Sequence, residues 1–347
     1  MNPNLHNNNR AVLNSLLDQT DRFLRVDRFS AAQQVLKSAR QNPGLEIHHE
    51  FAQAEFLVRE ARIKLNLDDQ AGALQCISLV TPEIRTRSAK IDASLHSTQG
   101  FLYRRHAFAA KSMGNIDLAS QAMNNAIESF GDAVSAASFE GLEALSLNNQ
   151  LNIVYSKGFI AHGNGASRLA NSSLVQAAVC IEAELVWVTP PRDRSRFPGH
   201  TMIADLAVGA GLTPADVVCL QSPELTQSRS IPFAAACQSL GLDKGLSWPA
   251  MILEGVKLEG YKGAGYEPQF SKRLHVQALK LGGKLVAGMS FSFEKRQLWH
   301  AYLAHAERAM AEFKSAGDLR WHKDLQGIKN RLIAANGTGS LAPFALR

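Results

Sequence analysis

Apolar residues recur at intervals of three and four along most of the chain, the spacing of one face of an α-helix. Leu16, Phe23, Phe29, Ala32, Leu36 and Ala39 fit that period, and Pro43 closes the stretch. The segment 107–132 shows the pattern most fully, as the end of one helix, a Gly-Asn turn and a second helix beginning at Ile116. Its small residues Ala107, Ala110, Ala119 and Ala126 fall where two helices would cross closely, and Tyr103, Ile116 and Met123 would fill the spaces between. The same offsets recur around Ala73 (Leu57, Ala61, Ile77, Val80) and Ala170 (Val154, Gly158, Ala161, Gly165, Leu174, Ala177). Lys64 departs from the small or aromatic residue expected at its offset.

With Ala32, Ala73, Ala119 and Ala170 as anchors, the spacings are 41, 46 and 51 residues. The pattern resembles a divergent tetratricopeptide repeat over about residues 11–180, a helix–turn–helix unit whose usual period is about 34 residues. The longer spacing predicts longer helices or longer connections. The resemblance implies an all-α fold of stacked antiparallel hairpins over 11–188, with the first helix of each hairpin lining an inner wall. By register that wall receives Asn14, Leu17, Asp21 and Arg25, then Val58, Arg62 and Asn66, then Phe101, Arg104, Phe108 and Lys111. The fourth unit adds Asn152, Tyr155, Phe159 and His162. Arg25, Arg62, Asn66, Arg104, Lys111, Asn152, Tyr155 and Phe159 are the candidate partner-binding set. Arg62, Arg104 and Lys111 are expected on one strip with few compensating acids, a surface suited to a protein or peptide of acidic character.

The pattern changes after Leu185-Val-Trp-Val-Thr-Pro-Pro. A smaller helical region is expected, with short helices over 199–258 and longer ones over 269–335, and the Gly-rich stretch 259–268 as the candidate hinge. Thr213-Pro214 with Asp216 reads as an N-cap, a first-turn proline and a favourable acid. Residues 201–221 carry the spacing of a DNA-binding helix-turn-helix: Leu206 and Ala207 inside, Gly211 at the turn, Leu212, Val217 and Leu220 seating the second helix. Base reading needs outward donors and acceptors, and the outward positions would be Thr213, Ala215, Val218, Cys219 and Ser222, so a structural helix pair is preferred. Residues 283–294 permit a β-hairpin or a helical hairpin, and the helical form is favoured. HGNGASR (162–168) is similar to the Fic adenylyltransferase motif, but Gly158 and Ala166 stand where the family has its catalytic His and phosphate-holding Arg. It is read as a turn.

Charge adds one distinction. Of 347 residues, those before 151 include 15 basic and 16 acidic side chains, and those from 151 onward 22 and 15. The basic second half keeps a nucleic-acid-binding regulator open as the alternative function, with Arg192, Arg194 and Arg196 as candidate phosphate contacts. The four cysteines are far apart and have apolar neighbours, as buried thiols in a reducing compartment do. No metal, cofactor or catalytic motif is expected. Without an apolar leader or an 18-residue apolar run, the chain is expected in the cytoplasm, away from membranes.

Overall fold

The computed structural model describes residues 3–25, 28–42, 45, 49–165, 168–188, 200–219, 246–259, 272–315 and 319–336. The fold is all-α: every regular element among the described residues is a helix. The helices are α1 (Pro3–Arg25), α2 (Phe29–Arg40), α3 (Glu50–Asn66), α4 (Gln70–Ser78), α5 (Pro82–Arg87), α6 (Ala89–Ser112), α7 (Ile116–Phe139) and α8 (Glu143–Gly163). They continue with α9 (Arg168–Val188), α10 (His200–Gly209), α11 (Pro214–Cys219), α12 (Trp248–Glu259), α13 (Lys272–Gly288), α14 (Phe293–Ser315) and α15 (Leu319–Asn336). The chain divides into two compact units, Met1–Ser156 and Lys157–Arg347.

In the first unit hairpin partners pack on each other, and the first helices of successive hairpins also meet. α1 lies on α2 and α3, α3 on α4 and α6, and α6 on α7. The hairpin turns are written locally. Asp69 caps α4 by accepting from the Gly72 amide at 2.8 Å, and Asn115 caps α7 by accepting from the Leu118 amide at 3.1 Å. Each such cap contributes about 1 kcal/mol. Gly114, with φ +79°, makes the α6–α7 turn. Ala107, Ala110, Ala119 and Ala126 are all buried, so the helices cross closely at the small residues. Gly100 marks the closest approach, since a Cβ there would sit 2.6 Å from Phe130 Cε1. Ile116 departs from expectation: it lies at the first turn of α7 and is exposed. One core joins α3, α4, α5 and α6 through Ala54, Leu57, Ala61, Ile77, Val80, Ile84, Ile91 and Leu95. The longer repeat spacing at this point comes from α5, an extra turn of helix between α4 and α6.

The second unit contains α9–α15. α9 packs on α10, and α12–α15 form a bundle in which α14 touches α12, α13 and α15. That contact on several sides buries Leu298, Tyr302, Ala306, Ala309, Met310 and Phe313 of α14. Tyr302 is fully buried and donates its hydroxyl to the Pro249 carbonyl at 2.7 Å. Gly282 admits the ring, because a Cβ there would lie 2.0 Å from the Tyr302 oxygen. Residues 283–294 are the end of α13, a tight turn and the start of α14, the helical alternative. No described helix is long and apolar enough to cross a membrane.

Candidate functional site

The candidate face is built from the first helix of each hairpin in the first unit. Direct packing of α1 on α3 and of α3 on α6 sets polar residues of successive hairpins side by side, and three polar ties mark the seams. Between α1 and α3, Arg59 Nη2 lies 2.7 Å from Asp21 Oδ2. The same guanidinium pairs with Glu55 one turn earlier. Between α3 and α6, Lys90 Nζ is 3.8 Å from Glu55 Oε1. Between α6 and α8, Arg104 Nη1 donates to Asn152 Oδ1 at 2.6 Å.

Arg59 is only 6% exposed. Burial works against its charge, but Asp21 and Glu55 outweigh that cost and raise its pKa above the ordinary value. A buried cation with two carboxylates is costly to break, about 3–5 kcal/mol when one partner is removed. Arg59 was invisible to a register argument because its offset reads as an ordinary solvated position of α3. Its partner Asp21 arrives from the previous hairpin.

Arg104 lies in a cage of rings rather than in solvent. Its guanidinium carbon is 4.8 Å from the Phe101 ring centroid, 5.4 Å from Tyr155 and 5.7 Å from Phe130. Phe101 and Phe130 meet edge to face at 5.2 Å. Planar guanidinium on aromatic faces is worth about 0.5–2 kcal/mol per good contact, so Arg104 holds α6, α7 and α8 together. Replacing Arg104 therefore costs stability as well as any surface charge. Arg105, one position on, pairs with Asp68 at 3.1 Å from the α3–α4 turn. The acids on this face pair with other cations: Asp21 and Glu55 with Arg59, and Asp68 with Arg105.

The remaining candidates divide as follows. Arg104, Asn152 and Tyr155 are brought together. Arg62 is exposed, and Asn66 Nδ2 donates to its carbonyl at 2.8 Å. Lys111 is half-buried near the end of α6. Phe159 is half-buried and belongs to the second unit. The side chain of Arg25 lies outside the described residues, as do Arg192, Arg194 and Arg196.

The helix-turn-helix spacing is realised as a helix pair. Leu206, Ala207, Leu212 and Val217 are buried, and Gly211 has φ +69° at the turn. Thr213 and Asp216 close a reciprocal cap, Asp216 N to Thr213 Oγ1 at 3.1 Å and Thr213 N to Asp216 Oδ2 at 2.7 Å. The Leu212 carbonyl accepts from Trp248 Nε1 at 2.6 Å, which ties the turn to α12. Leu220 and Ser222 lie outside the described residues, and so do the side chains of Val218 and Cys219.

Among the described residues no group of three or more His, Cys, Asp or Glu side chains could hold a metal ion. Cys76 is buried, and burial pushes its thiol up from the ordinary value, the opposite of what a reactive thiolate needs. No family model, curated protein or solved structure matches this chain.

Proposed function

We propose that residues 11–180 are a tetratricopeptide-like array and that the protein is an adaptor or regulator binding a partner segment of acidic character. The observation that carries this reading is the packing of α1 on α3 and of α3 on α6, in addition to each helix's packing on its own hairpin partner. That arrangement turns the outward faces of the first helices into one continuous wall. Arg62 and Phe108 are exposed on it, and a mixed cationic and aromatic wall suits an extended or helical peptide. The ties at Arg59 and Arg104 support the wall, and the exposed side chains between them contact the ligand.

The test is a fluorescence-anisotropy titration of the full chain with a labelled Glu- and Leu-rich peptide, its Lys-for-Glu counterpart and a DNA duplex of random sequence. The acidic peptide should bind best, and raised salt should weaken it. The double variant Arg62→Glu, Lys111→Glu should lose about tenfold in affinity, within the range for charge pairs at an interface. Equal binding of the two peptides would overturn the reading. Preferential binding of the duplex would favour the nucleic-acid alternative.

A further inference from the structure

A second cluster of titratable groups lies away from the wall, where α5, α6 and α7 meet. Arg85 of α5 donates from Nε to Asp92 Oδ1 at 2.6 Å. Its Nη2 lies 2.7 Å from His96 Nε2. On the other side of the ring, His96 Nδ1 is 3.6 Å from Asp132 Oδ2 of α7. A guanidinium is a donor only, so His96 Nε2 must supply a lone pair. The ring is therefore neutral, with its proton on Nδ1 facing Asp132. Hydrogen-bond logic at this one contact fixes both the charge and the tautomer.

The helix held by this contact is short. α5 spans Pro82–Arg87, and its own backbone bonds are few, among them Ile84 and Arg85 amides to the Thr81 carbonyl, both 3.2 Å, and Ser88 to Arg85 at 3.3 Å. Six residues cannot form a stable helix alone. Two side chains secure it: Ile84, buried in the core shared with Ile77, Val80, Ile91 and Leu95, and Arg85, through Asp92 and His96.

We propose that His96 makes this clasp acid-sensitive, so that proton uptake releases Arg85 and lets α5 lift Ile84 out of the core. A proton on Nε2 removes the acceptor of the Arg85–His96 bond and sets two cations against each other. It also creates a second cationic donor near Asp92 Oδ1, which is 3.4 Å from Nε2 and already taken by Arg85. Asp132 would welcome the charge, but its side chain is 63% exposed and its pull is screened. The charged groups acting on the ring are Asp92 on its own helix, Arg85 from α5 and Asp132 from α7. From α3 and α4 no hydrogen bond or ion pair reaches it among the described residues. Burial, then Arg85, push the His96 pKa below its ordinary 6.5 against the opposing pull of Asp92 and Asp132. A folded pKa below the unfolded one means that the neutral ring stabilises the clasp above the ordinary value and loses it as pH falls.

Hydrogen exchange of the full chain reads this directly. After correction for intrinsic exchange, opening at the Ile84, Arg85 and Ser88 amides should rise at least about threefold between about pH 7.5 and about pH 5.5. His96→Gln keeps an acceptor for Arg85 and cannot take a proton, so its opening should stay flat. A flat wild-type profile would overturn the proposal, as would the same rise in His96→Gln. Should that variant not fold, imidazole nitrogen NMR of the wild-type protein decides. A proton on Nδ1 and a titration midpoint below 6.5 support the clasp. A proton on Nε2, or a midpoint at or above that value, contradicts it.

Discussion

At the scale of single residues, the side chains that matter most are those whose surroundings come from another element. Glu182 is the clearest case. It lies on the face of α9 that buries Val175, Ala178, Val179 and Ala183, and neither of its carboxyl oxygens has a hydrogen-bond partner among the described residues. Burial holds its pKa well above the ordinary carboxylate value. The folded state therefore binds the proton more tightly than the unfolded one. That stabilisation is complete below the ordinary carboxylate pKa and is lost as pH rises toward the folded value. Urea titrations should show the second unit weakening as pH rises above the ordinary carboxylate range, and Glu182→Gln should remove that slope and gain about 1–3 kcal/mol near neutrality. An unchanged slope in the variant would place the pH dependence elsewhere. Sequence periodicity could not single out Glu182, because an acid on an apolar face reads as an edge position until α10 is packed against the helix. Arg59 was obscured for the same reason.

At the scale of elements, local chemistry was the legible part. Asp69, Asn115 and the Thr213–Asp216 pair do what their types and spacing predict, because a cap involves residues three apart and no tertiary partner. The two critical glycines show where that legibility ends. Gly211 has φ +69° and open space where a Cβ would go, so its requirement is purely of the backbone and a turn signal exposes it. Gly100 has ordinary helical neighbours in sequence, and its requirement comes from Phe130, 30 residues on. Gly211→Val should destabilise the second unit by at least about 1 kcal/mol, and Gly211→Asn by less, since Asn tolerates left-handed backbone. Gly100→Ala should destabilise the first unit although Ala is the better helix former. Thermal melts of the three variants check this, and a stabilised Gly100→Ala would mean that α6 and α7 lie farther apart.

At the scale of the molecule, the all-α fold and its consecutive hairpins followed from periodicity, and the α5 insert accounts for one of the long spacings. The surroundings of the individual cations were not legible, since they come from other helices: Asp21 for Arg59, Asp68 for Arg105, and Phe130, Tyr155 and Asn152 for Arg104. Arg62 is exposed, and Arg59, Arg104 and Arg105 tie neighbouring helices together. In this stack the first helices of successive hairpins lie directly side by side. A double-mutant cycle across the first seam, Asp21→Ala with Arg59→Met, tests it most directly. If α1 and α3 are joined as described, the cycle should give a coupling of about 1–3 kcal/mol in urea unfolding. A coupling indistinguishable from zero would separate the two helices and contradict the stacked arrangement.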